Sequence, residues 1–192
     1  TGFTEGTIGS LTLSAGVDCT ITFEQPLTIK DGANTTGNLA MQGGTINANG
    51  YNLTVEGNFS IDLAGDFYNG SGTVTVNGNY SQSGGTYYSE TSSGTLTVNG
   101  DFSQTQGTFN SPQMMTVNGN CTIDGSSTTF NSTNWTFTLK KNLTVSNGAA
   151  FNAGGLTQTS IVFEGAETST IDVDSTEELY NLEINKDDGV SV

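Results

Sequence analysis

The 192-residue sequence has no histidine and no arginine, and its only lysines are Lys30, Lys140, Lys141 and Lys186. Without histidine the commonest general base of enzymes is missing, and without arginine so is the usual anion clamp. The expectation is therefore a protein that is not an enzyme. Against Lys+Arg of 4 stand 19 acidic residues, a formal net charge of -15. Nucleic-acid binding needs a basic patch to neutralise phosphates, so no nucleic-acid partner is expected. No apolar run approaches the roughly 18 residues of a membrane span, and membrane insertion is not expected. Proline is confined to Pro26 and Pro112, cysteine to Cys19 and Cys121. No stretch carries the 3.6-residue periodicity of a helix.

Hydrophobic residues make up only 33% of the chain. A polar, acidic composition is compatible with disorder, but apolar and aromatic residues recur here in two regular columns. The first column is the unit Leu53-Thr54-Val55-Glu56-Gly57-Asn58-Phe59-Ser60. It returns at Val74–Ser81, Leu96–Ser103 and Met115–Thr122, and in a worn copy at Phe137–Thr144. The second column runs Ile46-Asn47, Phe67-Tyr68-Asn69, Tyr87-Tyr88-Ser89, Phe109-Asn110, Phe130-Asn131 and Phe151-Asn152. Two in-phase columns with a period near 21 residues are the signature of a stacked-repeat architecture.

Within a unit the alternation is of period two: Val74, Val76 and Tyr80 against Thr73, Thr75 and Asn77. That is strand periodicity. The Asn-Gly or Glu-Gly pair that interrupts it is expected to supply the positive-φ residue of a tight corner. Twenty-odd residues make about three short strands and three corners, one rung of a β-solenoid. The fold class expected is all-β, a β-solenoid (β-helix) of about 21 residues per rung and seven to eight rungs, roughly 35–40 Å long. The whole of 1–192 reads as a single array. Residues 1–52 form irregular N-terminal rungs, 53–152 the regular repeats, and 153–192 the C-terminal rungs, which end open.

Leu27-Thr28-Ile29-Lys30-Asp31-Gly32 is an imperfect copy of the unit, and Leu11, Leu13, Val17, Cys19, Ile21 and Phe23 alternate as an opening rung. The chain begins at Thr1 rather than Met, as a processed or excised piece would, although no signal peptide is visible. Neither end reads as the polar cap that soluble solenoids place over their unpaired edges. Two readings stay open: the next molecule completes the rung, or further repeats follow in a longer chain.

Several side chains are candidates for chemistry. Cys19 and Cys121 are both expected at inward strand positions, four to five rungs apart. That is far beyond the roughly 7 Å between Cα atoms that a disulfide allows. They are therefore candidates for bonds between subunits, or for buried thiols. Asn34, Asn52, Asn58, Asn69, Asn79, Asn120, Asn131, Asn134 and Asn142 open Asn-x-Ser/Thr sequons, candidate glycosylation sites on an exported protein. Corner geometry alone places several of them after the repeat's glycine. Asp172, Asp174, Glu177 and Glu178 form the densest acidic cluster, a weak candidate for calcium without the central glycine of a calcium loop. No other cofactor is expected. Of the carboxylate pairs, Asp62 with Asp66 and Asp187 with Asp188, neither is placed in a groove by its sequence context.

Thr54, Thr75, Thr97, Thr116 and Thr138 share one register in successive rungs, with Thr73, Thr95 and Thr136 two residues earlier. This Thr-x-Thr array resembles the flat faces of ice-binding β-solenoids, though Asn52 and Met114 interrupt it. Stacked threonines are equally what a plain sheet face prefers.

The Leu-Thr-Val-x-Gly-Asn-Phe units of residues 53–122, with Asn181 to Asn185 in the same style, resemble the repetitive β-solenoid surface proteins of bacteria and archaea. The resemblance covers most of the chain and implies an exported adhesin, sheath, surface-layer or fibre component. On that basis the expected function is an extracellular, cell-surface structural protein that self-assembles with copies of itself through its open end rungs. The alternative is an adhesin or other module that binds glycans or ice on a flat face. The resemblance carries over no catalytic residue.

Overall fold

The computed structural model describes residues 6–32, 36–89, 93–132, 136–152, 160–174, 179 and 181–192. Among them there is no helix, and so none long and apolar enough to cross a membrane. All strand pairings are parallel, and each joins residues about one rung apart in sequence. The chain is a β-solenoid of about eight turns, with three strands and three corners to a turn.

The first face stacks nine strands: β1 (Thr7–Ile8), β4 (Leu27–Ile29), β7 (Leu53–Val55), β10 (Thr73–Val76), β12 (Thr95–Val98), β14 (Met114–Val117), β17 (Thr136–Leu139), β20 (Ser160–Gly165) and β22 (Asn181–Lys186). The second face stacks β2 (Leu11–Leu13), β5 (Leu39–Met41), β8 (Phe59–Ile61), β11 (Tyr80–Tyr88), β13 (Phe102–Asn110), β15 (Cys121–Asp124), β18 (Leu143–Ser146) and β21 (Ile171–Val173). The third face comprises β3 (Thr20–Thr22), β6 (Thr45–Asn47), β9 (Asp66–Tyr68), the later halves of β11 and β13, β16 (Thr128–Asn131) and β19 (Ala150–Asn152).

Register follows the repeat. Val74 pairs with Leu53 and with Leu96, and Met115 pairs with Leu96 and Phe137. The imperfect copy at Leu27 joins the same column, in register with Leu53. The step there is longer, and the extra length is taken up outside the strands, because ladder pairing tolerates an insertion only in a corner. Pro26 and Pro112 precede β4 and β14, where no ladder N–H is needed.

Alternation sends one set of side chains inward. The core is a triangular shaft: aliphatic pairs such as Val74 and Val76 on the first face, Phe59, Tyr80 and Phe102 on the second, and Phe67, Tyr87, Phe109, Phe130 and Phe151 on the third. The rings stack along the axis and cross edge to face between columns. Tyr80 lies 4.8 Å from Phe102, Tyr87 4.6 Å from Phe109, and Phe102 meets Phe109 at 5.0 Å and 82°. Where the second column has the small Cys121, the next rung brings a ring from the first face, Phe137, 5.4 Å from Phe130.

The glycine of the repeated unit has a different reason from the one expected. Gly57, Gly78, Gly100 and Gly119 do not have positive φ. They are glycines because the rung below comes too close: a Cβ on Gly78 would lie 2.6 Å from the Gly57 carbonyl oxygen, and one on Gly119 2.5 Å from that of Gly100. Positive φ is used at other corners, for example Gly70 and Gly107.

Two buried glutamines explain why β11 and β13 run unbroken through a corner. Gln82 Nε2 donates to the carbonyls of Gly84, Gly85 and Thr108, and Gln104 Nε2 to those of Gly107 and Thr129. These amides satisfy carbonyls that the register shift near Ser83 would otherwise strand. Tyr80 Oη in turn donates to Gln82 Oε1 at 3.0 Å, whereas Gln104 Oε1, one rung on beside Phe102, is buried without a partner. Tyr80→Phe is expected to cost about 1–3 kcal/mol, and Phe102→Tyr to stabilise by about 1 kcal/mol. Urea unfolding of the two variants checks both signs, and equal effects of one sign would refute the account.

Candidate functional site

The outward side chains form ladders. On the first face the threonine column runs through Thr7, Thr28, Thr54, Thr75, Thr97, Thr116 and Thr138, in register from rung to rung, and then meets Val162. The second column, Thr73, Thr95 and Thr136, is broken by Met114, which is 53% exposed, and Thr95 Oγ1 donates to Thr73 Oγ1 at 3.0 Å. Thr7 and Thr73 are exposed and the other threonines of the two columns are half-buried.

Asparagine ladders bracket the corner after this face. The side-chain oxygens of Asn38, Asn58 and Asn79 each accept the backbone N–H of the corresponding residue one rung on, Asn58, Asn79 and Asp101. Asp101 does the same for Asn120. Beside them Asn77 Nδ2 donates to Glu56, Asn99 to Asn77, and Asn118 to Asn99, at 2.6–2.7 Å. The carboxylates at positions 56 and 101 are thus acceptors within an amide ladder.

These bonds bear on the Asn-Gly pairs, which are chemically labile when the glycine nitrogen attacks the asparagine side chain. The N–H of Gly78, Gly100 and Gly119 each donates to the glycine one rung below, at 2.9–3.0 Å. Asn77, Asn99 and Asn118 should therefore deamidate far more slowly than Asn147, whose pair with Gly148 lies in an exposed turn. Peptide mass spectrometry after incubation at mildly alkaline pH reads this directly. Equal rates in the folded protein would overturn it.

The sequence-derived candidates fall in different places. Asn52, Asn58, Asn79 and Asn142 are exposed at corners, and Asn120 and Asn131 are half-buried within ladders. Asn69 is wholly buried, its amide directed at the Thr95 carbonyl, which removes it from the sites a glycosyl donor reaches in the folded chain. Asn34 and Asn134 lie outside the described residues.

The cysteines divide. Cys121 is inward and fully buried, in register between Phe102 and Leu143, and burial pushes its thiol pKa up. A bond from it to another molecule would require the rung to open. The expectation of an inward Cys19 is corrected: it is exposed and precedes β3, because the chain turns between Leu13 and Thr20 before the third-face strand begins. Val17 is exposed for the same reason.

Asp172 and Asp174 are exposed, and Asp174 accepts the N–H of Asn147; Glu177 and Glu178 lie outside the described residues. Among the described residues no three His, Cys, Asp or Glu side chains are grouped as metal ligands would be. Asp62 accepts a hydrogen bond from Ser83 at 2.6 Å, one rung on.

Two features escaped the sequence reading. Consecutive aromatics on a strand must point to opposite faces, so one ring of Phe67-Tyr68 and one of Tyr87-Tyr88 had to face out. Tyr68 and Tyr88 do, 40% and 42% exposed, in register, with ring centroids 5.4 Å apart. The second is which core-register side chains stand exposed on the last described strand of the first face. Leu182 and Ile184 of β22 are 46% and 49% exposed, whereas Ile161 and Phe163, in the same registers one rung earlier, are 1% and 0%.

No protein-family model, curated protein or solved structure matches this chain.

Proposed function

We propose that this chain is an extracellular structural protein that self-assembles into a fibre, sheath or surface layer by stacking end rung on end rung. The observation that carries the reading is the uncovered pair Leu182 and Ile184. Both hold registers that Ile161 and Phe163 fill inside the core one rung earlier, and a further rung, from another copy or from more of the same chain, would cover them. All strands run parallel, so the two ends of the stack are complementary rather than alike. A contact of that kind is head-to-tail, and head-to-tail contacts that do not close give open filaments. The acidic surface and the exposed sequons at Asn52, Asn58, Asn79 and Asn142 fit a location outside the cell. No catalytic step belongs to this reading.

A second reading is a binding module that offers one flat face to ice or a glycan. The in-register threonine column of the first face favours it.

The test is light scattering with negative-stain electron microscopy over a concentration series. The stacking reading expects particles that lengthen with concentration, and shortening when Leu182→Asp and Ile184→Asp are introduced together. Uniform single particles of monomer mass at every concentration would refute it.

A further inference from the structure

We propose that the Tyr68–Tyr88 ledge on the third face binds a neutral oligosaccharide, through ring stacking assisted by side-chain amides and a hydroxyl. The inference is independent of stacking at the ends.

The ledge interrupts an amide ladder. Farther along the same outward column, Asn152 Nδ2 donates to Asn131, and Asn131 to Asn110, each at 2.8 Å. On the other side Asn47 is in register with Tyr68. Amides already stabilise this column, so folding does not demand tyrosine at its middle. The two rings are inclined at 49°, and together they form one bent apolar surface along the solenoid axis. Beside them a shallow cavity of ≈ 280 Å³ is lined by Asn47, Asn49, Tyr68, Ser71 and Tyr88 with two glycines. Gly50 and Gly70 hold positive φ there.

The lining chooses the ligand class. Among the described residues it contains no charged side chain. A net charge of -15 without arginine opposes any anion. What remains is apolar ring surface bordered by neutral donors and acceptors, the pattern of a site that fixes orientation with a few polar groups. A pyranose matches it: a patch of C–H groups on one face, rimmed by hydroxyls. Tyrosine supplies the stacking surface at low entropic cost and keeps its own hydroxyl for a further bond. The 5.4 Å ring spacing is close to the length of one sugar residue in an extended chain, so each ring can take a successive residue.

Affinity electrophoresis in native gels containing β-glucan, xylan, mannan or starch tests the proposal, followed by calorimetry with oligosaccharides of whichever polymer retards. At least one should retard the protein, and retardation should survive high salt. Tyr68→Ala and Tyr88→Ala should each weaken binding about tenfold, while Thr97→Ala, on the first face, should leave it nearly unchanged. A direct readout avoids variants: the sugar should slow nitration of Tyr68 and Tyr88 but not of Tyr51. No retardation by any polymer would overturn the proposal. So would binding unchanged in both alanine variants, or binding abolished by salt or tetramethylammonium, which would make the ledge a cation site. A monomer that binds sugar would refute the stacking reading and uphold this one.

Discussion

Phe109→Ala is expected to lower stability by about 3–5 kcal/mol. Phe109 is wholly buried and touches four rings: Tyr87 and Phe130 stack on it at 4.6 and 5.1 Å, and Phe102 and Tyr80 meet it edge-on at 5.0 and 5.7 Å. The cost of such a truncation depends on how far the surroundings collapse into the space. Here they collapse little. Every wall of the shaft is a ladder whose strands are held about 4.8 Å apart by backbone hydrogen bonds, so rungs above and below do not close in. The loss should also be felt as reduced cooperativity, since a solenoid is coupled through nearest-neighbour interfaces. Urea unfolding of Phe109→Ala should therefore show a lower midpoint and a broader transition. Tyr88→Ala, one strand away and facing solvent, should cost less than about 1 kcal/mol. Similar losses in the two variants would refute the picture of a rigid aromatic shaft.

The architecture was legible in the sequence because stacking gives equivalent positions nearly identical surroundings. Leu53, Val74, Leu96, Met115 and Phe137 differ in size but share a register and an inward direction. The aromatic column read as Phe67, Tyr87, Phe109, Phe130 and Phe151 is the inner wall of the third face. What the period could not resolve was anything set by one rung's departures from it. Cys19 lies two residues before Ile21, in strand phase, yet the strand starts only at Thr20. Gln82 and Gln104 stand two residues after Tyr80 and Phe102, in the inward phase of the alternation, but the repeat does not show why a polar side chain belongs there: their amides donate to backbone carbonyls beside the register shift. The outward turn of Tyr68 and Tyr88 was available from strand geometry alone. Two adjacent rings on one strand cannot both hold a core position. The uncovered Leu182 and Ile184 depend on what lies above a rung, which is a property of the stack and not of the unit.

Gly100→Ala is the second large effect, and it separates two explanations of a repeated glycine. If conformational freedom were the reason, the cost would be modest, about 1 kcal/mol for forcing a single residue into a strained region. But Gly100 does not have positive φ. An added Cβ would instead meet the Asn79 side-chain oxygen and lie 2.6 Å from the Gly78 carbonyl oxygen. Both atoms are committed: Asn79 Oδ1 accepts the N–H of Asp101 at 2.9 Å, and Gly78 O that of Gly100 itself at 3.0 Å. Relieving the clash means lifting one rung off the next and breaking both bonds. The expected loss is about 3 kcal/mol. Gly9→Ala is the control, because among the described residues nothing lies within 4 Å of its added Cβ and its φ is not positive. It should change stability by less than about 0.5 kcal/mol. Thermal and urea unfolding of the pair decide the matter, and equal effects would remove close approach as the reason. The repeat then has a physical meaning residue by residue. Its glycine sets how near the rungs come, its asparagine bonds the rung above, and its alternating apolar residues fill the shaft between.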